Sequence, residues 1–275
     1  MKMSFGSTAA ALVASIFLNG CCCFETPEVP KNTQLKLIQM CDPQLGFQDY
    51  DGELKRFEEA VAFVNKETPD FVVICGDIVH LKDDKSYADA KTTIDKLAVP
   101  YFAAPGNHDI GGDHTVEDRA RFAEKIGPDY GSFVKNGYRI VIVDTQLWQK
   151  APAELTAEMD EFVLNELKAA KANGEKLIVA GHVPLYVNTV DEKDEYFNIP
   201  AANGKRQELL ALFQEYDVLA YLSGHTHTAF ATVNDGLLMS AGETTGVRFD
   251  GLPPGVRVFN FNNDQANFRS KFFAK

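Results

Sequence analysis

The chain has 275 residues, 45% hydrophobic and 24% charged, with 20 glycines and 12 prolines. This is ordinary globular composition at a length that α/β folds use as one domain, which excludes a disordered or fibrous chain. A formal net charge of -12 argues against a groove for long nucleic acid, which needs clustered Lys and Arg, but not against phosphate chemistry, because bound divalent ions reverse the field locally.

In chain order, the first element is an apolar run from Ala9 to Leu18 behind Lys2, too short to span a bilayer and read as an export signal over residues 1–20. Leu18-Asn19-Gly20-Cys21 resembles a bacterial lipobox, which implies lipid on Cys21 and membrane attachment; the alternative is simple cleavage and secretion. Cys21 to Cys23 are adjacent and unlike a disulfide framework, whereas Cys41 and Cys75 each end an apolar run and read as buried thiols. Residues 21–34, with the Pro-bearing stretch Thr26 to Lys31, are expected to be a linker, and residues 35–275 the catalytic domain.

Strands are expected at Leu35–Cys41, Phe71–Cys75, Tyr101–Ala104, Ile140–Val143, Leu177–Ala180 and Val218–Leu222. Helical spacing links Leu54, Phe57, Val61 and Val64, then Ala90, Ile94 and Leu97, with further helical patterns at Phe162–Ala170 and Gln207–Phe213. From Phe230 onward, Gly-punctuated runs at Leu237–Met239, Val256–Phe259 and Phe268–Phe273 read as antiparallel strands. Asp49-Tyr50-Asp51-Gly52-Glu53 lacks EF-hand spacing and reads as a helix start with Asp51 as N-cap. There is no Gly-rich nucleotide fingerprint and no Gly-x-Ser-x-Gly elbow.

Five polar clusters each follow an apolar run directly: Asp42-Pro43-Gln44, Gly76-Asp77, Gly106-Asn107-His108-Asp109, Gly181-His182 and Gly224-His225-Thr226-His227. Ligands of open α/β sheets gather beyond the carboxyl ends of strands, so these loops should converge on one edge. Singly, each cluster is more often a turn or helix cap. Together they gather carboxylate, amide and imidazole without cysteine, a donor set that suits Mn, Fe or Zn. His80 and His114 have weaker claims, as loop and solvent-facing histidines.

The ordered set resembles the calcineurin-like metallophosphoesterase superfamily, whose pattern is Asp-x-His, Gly-Asp, Gly-Asn-His-Asp/Glu, a later His and Gly-His-x-His. Asp42-Pro43-Gln44, Gly76-Asp77-Ile78-Val79-His80, Gly106 to Gly111, His182-Val183-Pro184-Leu185 and Asp194 to Asn198 are similar to the branch described as serine/threonine phosphatases. The resemblance implies an α/β fold, a β-sandwich flanked by helices in four α/β/β/α layers. It implies two divalent ions (Mn, Fe, Zn or Mg): Asp42 and His227 on the first, Asp77 bridging, and Asn107, His182 and His225 on the second. Gln44 stands where histidine is usual at the first ion, and an amide oxygen is the weaker ligand for Zn or Fe.

The implied reaction is attack of a bridging hydroxide on a phosphate ester, with His108 as general acid and Asp109 orienting its imidazole. A phosphomonoesterase, with phosphoprotein as a candidate substrate, is the preferred reading. A phosphodiesterase or nucleotide hydrolase is the alternative, and a non-catalytic metal-binding scaffold the third. The acidic stretch from Pro184 to Pro200 reads equally as a solvated loop or as a substrate-selecting rim.

Overall fold

The computed structural model describes residues 33–111, 115–151 and 153–273. The expected export segment, Cys21 to Cys23, all but the end of the linker, and His114 lie outside the described residues. The chain runs β1 (Gln34–Met40), α1 (Tyr50–Glu67), β2 (Phe71–Cys75), α2 (Asp84–Ile94), β3 (Tyr101–Ala104), α3 (Asn107–Ile110) and α4 (Val116–Lys125). It continues through β4 (Gly131–Lys135), β5 (Tyr138–Ile142), α5 (Thr145–Gln149), α6 (Ala153–Asn173), β6 (Lys176–Ala180) and α7 (Lys205–Glu215). It ends with β7 (Val218–Ser223), β8 (Phe230–Asn234), β9 (Leu237–Ala241), β10 (Gly255–Asn262) and β11 (Gln265–Phe272).

These strands form two mixed sheets, ordered β11-β10-β1-β2-β3 and β4-β5-β6-β7-β9-β8. Side chains alternate across each strand, so Leu35, Leu37, Phe71, Val73 and Cys75 meet Tyr138, Ile140, Ile178, Ala180 and Leu222 between the sheets. On the outer face of the first sheet, Ile38, Met40, Val72 and Ile74 pack against Phe57, Val61 and Val64 of α1 and Tyr87, Ala90 and Ile94 of α2. On the outer face of the second, Val141, Val179 and Tyr221 pack against Val163 and Leu167 of α6 and Leu209 and Phe213 of α7. The order of layers is therefore helix, sheet, sheet, helix. Cys41 and Cys75 are buried free thiols, whose burial pushes the Cys41 thiol well above its ordinary pKa.

Three details differ from the sequence expectation. β9 lies parallel to β7 and antiparallel only to β8, because the chain crosses from β7 to the far side of β9 before returning. α2 stops at Ile94, and Leu97 packs against the core from the following turn. α1 begins earlier than an Asp51 cap allows: Asp49 is its N-cap, and Asp51 lies in the first turn. Buried Glu53 causes this, since its carboxylate accepts the backbone N–H groups of Gly46, Phe47, Gln48 and Asp49 at 2.7, 3.0, 2.8 and 3.1 Å.

Parallel pairing sets the register of the strand exits. Met40 stands beside Ile74 and Cys75 beside Ala104, while Ala180 stands beside Leu222. All five polar clusters thus leave the sandwich at one edge. Adjacent exits are tied by backbone bonds: Asp42 N–H to Gly76 O (3.2 Å), Gln44 N–H to Asp77 O (2.9 Å) and Gly224 N–H to His182 O (2.8 Å).

Candidate metal centre

The exits bend sharply. Asp42, Gln44, Asp77, His225 and His227 all have positive φ, between 48° and 70°, in the left-handed region that bulky residues avoid. Strain of this kind persists where the surrounding structure holds it, and it collects at functional sites. The glycines leave room for close approach: a Cβ on Gly106 would lie 2.1 Å from the Asp77 carboxylate, and one on Gly76 would lie 2.6 Å from the His182 ring.

The two central carboxylates are buried. Asp77, His182 and His225 bring ligand atoms within 4.8 Å of one another, as do Asp42, Asp77 and His227. Each of the three histidines has one ring nitrogen on a backbone carbonyl: His182 Nδ1 on Cys75 O (2.8 Å), His225 Nε2 on Tyr196 O (2.7 Å) and His227 Nδ1 on Val247 O (2.5 Å). A carbonyl only accepts, so in each neutral ring that nitrogen carries the proton and the other presents a lone pair. His182 Nε2 lies 3.3 Å from Asp77 Oδ2 and 3.1 Å from Asn107 Oδ1, and His227 Nε2 lies 3.9 Å from Asp42 Oδ1. Acceptors facing acceptors call for a cation. Gln44 Oε1 is also buried without a hydrogen-bond partner. This donor set fits divalent metal, with the carbonyls as outer partners that orient the imidazoles.

The electrostatics agree. Burial alone would lower His182, but the Asp77 charge and hydrogen bond, then Asp42 and the Cys75 carbonyl, raise it to about 10. A proton therefore occupies the gap between these acceptors when no metal does. Burial and the nearby His182 push His225 down to about 3, so it is neutral. Burial raises Asp42 to about 6 against the pull of His227 and His182. Asp77 is held below the ordinary carboxylate range because His182, His108 and His225 outweigh its burial.

His108 is half-buried at the start of α3, and its backbone N–H donates to Asp77 Oδ1 at 2.9 Å. Desolvation lowers its pKa, with Asp77 opposing. Asp109 does not orient His108. Its Oδ1 accepts from Ile78 N–H (2.9 Å) and Val79 N–H (3.0 Å), and its Oδ2 accepts from Gly106 N–H (2.8 Å). Adjacent helical residues point apart, so Asp109 clasps the exits of β2 and β3 together while His108 faces the site. His80 comes closer than its sequence position implies, with ring centroids 4.4 Å from His108 and 5.1 Å from Phe47.

The Pro184–Pro200 stretch reaches the centre through the Tyr196 carbonyl on His225. Gln149 of α5 donates to the carbonyls of Glu195 (3.2 Å) and Tyr196 (3.2 Å). From α7, buried Arg206 donates to Ile199 O (2.8 Å), Val190 O (2.8 Å) and Glu192 O (2.9 Å). The stretch is thus pinned against the centre rather than free in solvent. Sequence pattern alone does not single out α5, although Asp144-Thr145-Gln146 follows an apolar run as the other clusters do.

A strand-exit centre of buried Asp and His beside a half-buried Asn on a two-sheet α/β sandwich defines a metallophosphoesterase, and residues 35–229 match the calcineurin-like phosphoesterase family. The chain belongs to that family and is a phosphate-ester hydrolase. It is 30% identical to the serine/threonine-protein phosphatase CPPED1 of Danio rerio over 246 residues, covering 80% of this chain and 79% of that one. It is 29% identical to human CPPED1 over 244 residues, covering 83% and 76%. The fold superposes on a crystal structure of a dimetal phosphatase from Danio rerio with a TM-score of 0.65 at 12% identity, covering 87% of this chain and 99% of that one.

Proposed function

We propose that the protein is a phosphomonoesterase working with two divalent ions, one held by Asp42, Gln44 and His227, the other by Asn107, His182 and His225, with Asp77 shared. The observation that supports this reading is the set of three imidazoles, each with one nitrogen on a carbonyl and its other lone pair available to buried carboxylates. When bound, the ions would acidify a water and withdraw charge from the phosphoryl oxygens.

The chain's own residues supply the rest. His108, at the wall of a cavity of about 300 Å³ shared with Asn107 and His225, gives a proton to the departing ester oxygen. Loss of such an acid costs about 10²–10⁴ in rate. Asp109 keeps the Asp77 and Asn107 loops in register through its three backbone bonds. The relatives' name extends the candidate monoesters to phosphoserine and phosphothreonine.

The test is chelation and metal add-back on a phosphomonoester and a phosphodiester, with Asp77→Asn alongside. Metal-dependent monoesterase activity that Asp77→Asn reduces to background is the expected result. Full activity in a verified metal-free sample, or turnover of the diester alone, would overturn the reading.

A further inference from the structure

α5 and the residue after it present three polar side chains toward the centre, and they are not in the same condition. Gln149 Nε2 is engaged, holding the carbonyls of the Tyr196 loop. Gln146 is 2% exposed, and its Nε2 is buried without a hydrogen-bond partner. Lys150 is exposed and makes no ion pair among the described residues. Lys150 caps α5, its N–H donating to Gln146 O at 3.1 Å across the last turn. Both residues line the cavity of about 300 Å³ that also holds Asn107, His108 and His225.

The start of α5 is fixed against the metal ligands. Asp144 Oδ1 accepts the Gln146 N–H at 3.0 Å. Thr145 Oγ1 accepts the N–H groups of His182 (3.3 Å) and Val183 (3.0 Å). A buried amide nitrogen without a partner lowers stability, and an unpaired ammonium at the same wall is available for an anion. Both are what a site arranged for a ligand retains until the ligand arrives. Glu195 shares the cavity, so one cation faces one carboxylate. A second phosphate with two charges is poorly matched there, whereas a single carboxylate meets one ammonium and one amide N–H.

We infer that Gln146 and Lys150 are specificity-determining residues that receive a carboxylate carried on the leaving group of a small phosphomonoester. The inference rests on the phosphomonoesterase reading and adds the class of substrate. The carboxylate enters beside His108, on the side where the ester oxygen departs. Gln146 then donates Nε2–H to it, and Lys150 neutralises its charge.

The test compares the metal-loaded protein on 3-phosphoglycerate, glycerol 3-phosphate and a phosphothreonine peptide, by turnover and by calorimetric binding. Wild type should favour 3-phosphoglycerate over glycerol 3-phosphate by at least tenfold in kcat/KM. Lys150→Met, a change on an exposed side chain, should lose at least tenfold more on 3-phosphoglycerate than on glycerol 3-phosphate, mainly through KM. Gln146→Met should do the same where circular dichroism shows it folded. Equal turnover of the two small esters, equal losses on both, or preference for the peptide would overturn the inference while leaving the monoesterase reading intact. Failure to turn over any monoester would remove that reading, and calorimetry would then decide the inference: unchanged 3-phosphoglycerate affinity in Lys150→Met would overturn it.

Discussion

Replacing Glu53 by Gln should destabilise the protein by about 4 kcal/mol, although Glu53 touches neither metal ligand nor substrate. The carboxylate is fully buried and gathers four successive N–H groups, two on each oxygen. An amide keeps one acceptor and turns a donor toward the other pair. Each N–H left unbonded costs about 1–3 kcal/mol, and the two surviving bonds drop from charged to neutral strength, roughly 1 kcal/mol apiece. Gln48 and Asp49 are exposed enough for water to relieve part of this, which keeps the total below the simple sum. The loop also carries Phe47, whose ring lies 5.1 Å from His80, 5.7 Å from His227 and 6.2 Å from Phe249. Loosening it should therefore weaken metal binding at His227 as well. Urea unfolding of wild type and Glu53→Gln, with hydrogen exchange at residues 46–49, measures both. A stability change under about 0.5 kcal/mol with unchanged protection would refute the account.

Gln44→His should tighten Zn or Fe at the Asp42–His227 position, since imidazole is the better ligand; metal titration that finds no change would remove Gln44 from the ligand set. Because His182 is raised to about 10 in the metal-free protein, metal binding near pH 8 should release about one proton, and affinity should rise with pH up to that value. Calorimetry in buffers of different ionisation enthalpy reads the proton directly, and zero release would count against the assignment. Burial, then the Asp129 charge, raises Asp144 to about 8. Between pH 4 and 8 the folded state keeps a proton that the unfolded chain loses, so wild type loses stability as pH rises through that window. Asp144→Asn should remove that loss, gaining on the order of 3–5 kcal/mol relative to wild type by pH 8, as thermal unfolding across pH would show; parallel pH profiles would contradict it.

How legible each element is in the sequence depends on its burial. β2, β6 and β7 are covered on both faces and spell continuous apolar runs, so they are visible. β4 and β8 are the two edges of the second sheet, with no fully buried residue in either; their residues carry no such run and leave no signal. α5 has five residues, too few to show a helical period, which hides Gln146 and Lys150. The expected ligand positions are legible from Gly and polar residues at strand exits. The role of Asp109 is not, because which way a side chain points on α3 and which backbone N–H groups await it are decided by the neighbouring β2 exit.

Which nitrogen of each histidine faces the carboxylates is likewise set from distant segments, and this binds specificity to chemistry. The His225 proton is held by the Tyr196 carbonyl, on a loop fastened from α5 by Gln149 and from α7 by Arg206. A change that shifts this backbone would release the His225 tautomer and with it one of the proposed ligands. The Tyr196 side chain is under no such restraint: it is 58% exposed, and its ring lies 5.3 Å from His225 without a hydrogen bond between the side chains. The Tyr196 side chain can therefore vary, whereas the backbone that carries it must hold its place for the His225 tautomer to survive.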